Sequence, residues 1–148
     1  MKDYNGPVVT RLSIRFRQPQ LLERLKAEAG TRSISTSVLA EELIDEGLRT
    51  RRHPMVVFRD GASGRRAALI GGPDVWEVVG GLVGGDVPPE DRISRATEHL
   101  GLSRQQIDAV LDYYVDFTAE IDEEIAENVA AADELEGARR RRQDLLAE

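Results

Sequence analysis

The sequence predicts a mainly α-helical protein with short β-structure, arranged in two parts, and three patterns carry that expectation. Residues 11–17 alternate polar and apolar side chains with a period of two, as a strand does. Two segments of helical period follow directly, the first opened by Pro19. At Met55 the pattern restarts, with two short apolar runs around a glycine-bearing turn and then a series of helices punctuated by proline and glycine.

In the first part, Leu12, Ile14 and Phe16 share one face of the strand, and Arg11, Ser13, Arg15 and Arg17 share the other. The expected helix after Pro19 carries Leu21, Leu22, Leu25 and Ala29 at helical spacing and ends at Gly30. Either Ser33 or Ser35 can cap the next helix, which runs to about Leu48 with Val38, Leu39, Leu43, Ile44 and Leu48 inward. A lone strand leaves its backbone donors and acceptors unpaired, and residues 1–50 hold no second one. Pairing with the same strand of another copy solves that problem, so a homodimer or higher homo-oligomer is expected, with Leu12, Ile14 and Phe16 in its core. Residues 51–54 read as a linker.

In the second part, Met55–Arg59 and Arg65–Ile70 flank Asp60–Gly64 and read as a β-hairpin. Pro73 and Asp74 open a short helix bearing Val75, Trp76, Val78, Val79 and Leu82. Pro88–Asp91 open another, which Gly101 terminates. Ser103 with Gln106 three residues later forms a capping box for a long C-terminal helix. Val110, Tyr114, Phe117, Ile121, Ile125, Val129 and Ala132 recur along it every three or four residues. Residues 55–116 are therefore expected to form a small β-hairpin plus helical-bundle or winged-helix-like domain with a long C-terminal helix. Residues 117–148 then form an acidic helical tail whose apolar stripe meets another chain.

Charge sharpens the division. Residues 1–54 hold ten Lys/Arg against seven Asp/Glu, a net of +3; residues 55–148 hold ten against twenty, a net of −10. Residues 105–138 contain eleven acids and no Lys or Arg, and then Arg139, Arg140, Arg141 and Arg142 arrive together. A basic head and an acidic body ending in a basic knot suggest two kinds of partner. The chain has no cysteine, which removes disulfide scaffolds and thiol chemistry. No apolar run approaches the ~20 residues of a membrane span, so the expectation is a cytoplasmic protein without a membrane partner.

The run Arg11-Leu12-Ser13-Ile14-Arg15-Phe16, with Leu22 and Leu25, Gly30 through Ser35-Thr36-Ser37, and Leu43-Ile44, resembles the ribbon-helix-helix DNA-binding fold. The resemblance implies an intermolecular antiparallel strand pair that enters the major groove, with Arg11, Ser13 and Arg15 reading bases. A two-stranded ribbon fits that groove, and arginine can bond guanine bidentately. Ser35, Thr36 and Ser37 at a helix start, with Arg17, are the expected phosphate contacts. The second part resembles the toxin-binding domain of VapB-type antitoxins through Arg65-Arg66, Gly71-Gly72-Pro73-Asp74-Val75-Trp76, Gly84 through Ile93, Leu102-Ser103 and Leu111 through Tyr114. That likeness implies a PIN-type ribonuclease toxin as partner and operator double-stranded DNA as the second ligand. Tyr114, Phe117, Ile121 and Ile125 would hold the toxin. Arg139 to Arg142 would compete for the carboxylates that such a nuclease gathers around metal.

Plainer readings stand beside these. The four arginines can neutralise Glu134 and Glu136, Ser35 can be only a cap, and Asp108, Asp112 and Asp116 can be a solvated helix face. The glycine pairs lack any nucleotide-loop context, and His53 and His99 have no second histidine at ligand spacing. No catalytic residue, cofactor or metal is expected. The rival function is a plain dimeric repressor whose second domain only oligomerises or adds a winged-helix DNA contact, although its acidity disfavours that contact.

Overall fold

The structure, a computed structural model, describes residues 9–62 and 64–147. Val8 at the strand start and Ser63 in the hairpin turn lie outside the described residues. Six helices and one two-stranded sheet are present among them: α1 Pro19–Thr31, α2 Thr36–Arg52, β1 Val56–Gly61, β2 Gly64–Leu69, α3 Val75–Leu82, α4 Pro89–Leu100, α5 Arg104–Asp116 and α6 Thr118–Ala147. The chain divides into two units at Ile44/Asp45.

In the first unit, residues 9–16 have neither helix nor strand in the single chain. A strand's hydrogen bonds need a neighbour, and the described residues of the single chain supply none here. Pro19 sits in the first turn of α1, where its missing N–H is no loss. Gly30 does not end α1, contrary to expectation: the helix runs through Thr31, and Ser33 takes the left-handed conformation at φ 55°. The Ile34 N–H then reaches the Ala29 carbonyl and the Ser33 N–H the Gly30 carbonyl, each at 3.1 Å. This pair of bonds closes the helix end in a Schellman motif, with serine where glycine is usual. Ser35, rather than Ser33, caps α2 by accepting from the Val38 N–H at 3.1 Å. Arg32 joins the two helices, pairing with Glu28 at 3.0 Å and Glu42 at 3.2 Å.

In the second unit, β1 and β2 pair antiparallel from Val56↔Leu69 to Gly61↔Gly64, and Gly64 takes φ 117° to turn the chain. The core gathers around α3, which packs on β2, α4, α5 and α6. Val75, Val78, Val79 and Leu82 of α3 are buried with Val56, Ala67, Leu69, Ala96, Leu102, Ile107, Val110, Tyr113 and Ile121. Gly84 and Gly85, both at positive φ, carry the chain from α3 to α4. Arg92 ties that connection by donating to the carbonyls of Val87 and Leu82. Gly101 ends α4 at φ 65°, and the capping box of α5 forms in full: Ser103 Oγ accepts from the Gln106 N–H at 3.2 Å, and Gln106 Oε1 from the Ser103 N–H at 2.8 Å.

Two expected boundaries move. Arg51 and Arg52 are not a linker but the last turn of α2, because the end of that helix is bound into the second unit by its own side chains. The long C-terminal helix breaks at Phe117, whose N–H still bonds the Tyr113 carbonyl at 3.0 Å while its φ of −131° leaves the helical region. The break separates α5 from α6 and lets Ile121 enter the core beside α3, so residues 117–125 belong to the folded domain and not to a free tail.

Candidate functional surfaces

The first unit presents two surfaces side by side in sequence. Arg11, Ser13, Arg15 and Arg17 are all exposed, as is Ser37, whereas Thr36 is half-buried. The Ser35 oxygen accepts the capping bond, and its hydroxyl proton remains to donate to a phosphate. Of the expected dimer core, Leu12 is 78% and Ile14 53% exposed, and Phe16 is half-buried. Four further apolar side chains of α1 and α2, Leu21, Val38, Leu43 and Ile44, are also close to half exposed. Helical spacing places the last three inward, but among the described residues of this unit only Ala29 and Leu39 are buried. An open groove of about 430 Å³ runs between the helices, lined by Leu21, Leu25, Ala27 and Leu43 together with Arg24, Glu28 and Thr31. With two buried side chains among its described residues and this many uncovered ones, the unit has its core only half built.

The second unit uses much of what was expected to be a docking stripe. Ile121 is fully buried in the core, with Tyr114, Phe117 and Ile125 packed against it. Ile121 is therefore removed from the expected toxin-binding set: the kink at Phe117 turns it inward. Tyr114 keeps a hydrogen bond to Asp122 at 2.7 Å and remains half-buried.

A polar cluster absent from the sequence expectations holds the end of α2 in this unit. Arg49 Nη1 donates to the Tyr113 hydroxyl at 2.9 Å and to Glu120 at 2.5 Å, and the guanidinium lies 4.0 Å from the centre of the Phe117 ring. Burial alone would lower the Arg49 pKa, but the bonds to Glu120 and Tyr113 outweigh it and raise the value. Burial also pushes the Tyr113 hydroxyl up to about 12, so it stays protonated and can accept from Arg49. Arg52 and His53 both bond Asp116, at 2.5 and 2.8 Å, and Arg52 first and His53 second hold that carboxyl below its ordinary range. His53 also meets the edges of Tyr113 and Phe117, with ring centres 5.2 and 6.2 Å away. Arg65 of β2 grips Glu46 with two nitrogens. Arg49, Arg52 and His53 at the end of a helix were the available sequence signal; Asp45 pairs with Arg49 from the same helix, but Glu120 and Asp116 lie more than 60 residues onward.

Elsewhere, Asp74 leaves its capping role unused and accepts from Arg59 and from the Trp76 indole at 3.2 Å. Glu124 has a buried oxygen without a hydrogen-bond partner, and burial pushes its pKa up to about 7. Arg139 to Arg142 are exposed on α6, where Arg140 pairs in-chain with Glu136 at 2.5 Å. Asp108 pairs with Arg104 at 2.9 Å. Among the described residues no group of three or more His, Asp or Glu side chains is arranged to hold a metal, and no helix is long and apolar enough to cross a membrane. Comparison with known protein families, with curated proteins and with solved structures finds no match for this chain.

Proposed function

We propose that this chain is the antitoxin of a type II toxin–antitoxin pair and a repressor of its own operon. Two copies pair residues 11–17 as an antiparallel ribbon of the ribbon-helix-helix kind, and that ribbon enters the major groove of operator DNA. The observation that carries this reading is the uncovered apolar set of the first unit, Leu12 and Ile14 with Leu21, Val38, Leu43 and Ile44, next to exposed Arg11, Ser13 and Arg15. Covering that set with a second copy completes the core and leaves the arginines outward, facing a groove that accepts a two-stranded ribbon. The acidic second unit then serves a protein partner better than a winged-helix contact to phosphates.

The partner in this reading is a PIN-type ribonuclease. Its contacts fall on the exposed length of α6 and on Arg139 to Arg142, whose guanidinium groups suit clustered carboxylates. Burial of Ile121 favours the plain-repressor alternative to the extent that it removes one apolar contact from the toxin-binding set.

The test co-expresses the full chain with the product of the adjacent reading frame and assays the purified complex for ribonuclease activity. The expected result is a stable, silent complex that becomes an active ribonuclease when residues 128–148 are removed, a cut that leaves every buried core residue in place. No complex with either genomic neighbour, together with salt-dependent operator binding, would establish the plain repressor instead.

A further inference from the structure

Beyond Ile125, α6 leaves the core and continues to Ala147, with Val129 56%, Leu135 72% and Leu145 75% exposed. One face of this length repeats every seven residues: Asn128, Ala131, Leu135, Ala138, Arg142 and Leu145. The stretch is acidic as far as Glu136 and basic from Arg139 to Arg142. We infer that this face pairs antiparallel with the same face of a second copy, about a two-fold axis passing between Glu136 and Gly137.

Side-chain size and charge both select that arrangement. With the axis there, Leu135 meets Ala138 of the second copy, Ala131 meets Arg142 and Asn128 meets Leu145. Each layer sets a long side chain against a shorter one, which fills the seam without overpacking. On the flank, Glu134 lies beside Arg141 of the second copy, and the two-fold repeats that ion pair. A parallel pairing in register would instead stack Arg142 on Arg142 within the seam and Ala131 on Ala131, giving like charges at one layer and a gap at another. Glu136 and Arg140, already paired with each other, both fall on the outer face and are not needed at the seam. Among the described residues, Glu134, Arg141 and Arg142 have no in-chain ion pair, so the pairing breaks none. The seam is about 27 Å long, roughly five helical turns. The pairing is independent of the operator reading; it occupies Arg141 and Arg142 at the seam, so a second copy and the toxin of the proposed function compete for this face of α6.

The chain has no cysteine, so disulfide trapping has a clean background. In the full-length double variant Ala131→Cys/Arg142→Cys the two positions are about 16 Å apart along one helix, too far to bridge within a chain. Mild oxidation is expected to give covalent dimers from the double variant. Neither single variant should give them, because each position is equally far from its own copy across the axis. Adding Glu134→Arg should lower the dimer yield several-fold, and adding Arg141→Glu to that should restore it. Dimers from either single variant would overturn the antiparallel arrangement, and no dimer from the double variant would overturn the pairing itself.

Discussion

At the scale of single residues, two side chains sit where their chemistry is ill suited to the fold, and both can be tested. Ser33 is the one described non-glycine residue at positive φ. The left-handed region crowds its Cβ, at a cost of about 1–2 kcal/mol for an L-residue. Ser33→Gly should therefore raise stability by about 0.5–1 kcal/mol in a urea melt, and Ser33→Val should lower it. The second is Glu124. Its folded pKa of about 7 exceeds the ordinary 4.5, so the folded state holds a proton that the unfolded chain releases. The glutamate contribution to stability is then fully present below pH 4.5 and is lost as pH rises through 7. Glu124→Gln should abolish that decline and melt higher than the native chain at pH 8. Asp116 has the opposite sign: Arg52 and His53 lower its pKa, so its contribution is present above the ordinary carboxyl range and is lost on further acidification. Asp116→Asn should flatten the acid limb and lower stability above the carboxyl range, where the ionised side chain makes its contribution.

Among the elements, α6 carries two different jobs along one uninterrupted helix. Its first two turns supply Ile121 and Ile125 to the core around α3, and a Cβ placed on Gly80 of α3 would stand 4.0 Å from Ile125, an ordinary contact distance. Most of its remaining length is exposed. Ile121→Ala should cost about 2–5 kcal/mol in a denaturant melt, as cavity-forming substitutions do, whereas Val129→Ala should stay within about 0.5 kcal/mol. Equal losses at both positions would mean that the helix is clamped along its whole length. The hairpin, α4 and α5 were legible because their punctuation is local: Gly64 for the turn, Pro89 and Gly101 for the ends of α4, and Ser103 with Gln106 for the start of α5. The break at Phe117 was not legible, since it has no proline or glycine behind it. It arises where Phe117 stacks on Tyr113 at 4.7 Å beneath the Arg49 guanidinium.

For the molecule as a whole, the proposed operator contact makes a graded prediction. Arg17→Ala removes an expected phosphate contact and should reduce the magnitude of the slope of log K against log salt by about 1. Arg11→Ala removes an expected base contact and should cost about 1–3 kcal/mol on the operator while leaving nonspecific binding much less affected. Ile14→Asp places a charge within the expected dimer core and should abolish both dimerisation and operator binding. Binding isotherms on operator and random duplexes at several salt concentrations, with sedimentation of the free protein, check all three. A monomeric native chain with no operator affinity would remove the reading.

What the sequence determined by itself was whatever short-range chemistry decides. The positions of most helices, the hairpin, the cap at Ser103, the apolar–basic alternation of residues 11–17 and the segregation of charge all follow from spacing within a few residues. Tertiary structure decided which apolar side chains are spent inside the molecule and which remain outside. Ile121 and Val129 belong to one stripe in the sequence, yet one is fully buried and the other exposed. Tertiary structure also decided that the end of α2 belongs with the second unit, through Glu46, Arg49, Arg52 and His53. Periodicity marks a face of a helix; burial depends on what lies across from it, and for Arg49 and Arg52 that partner stands 71 and 64 residues away.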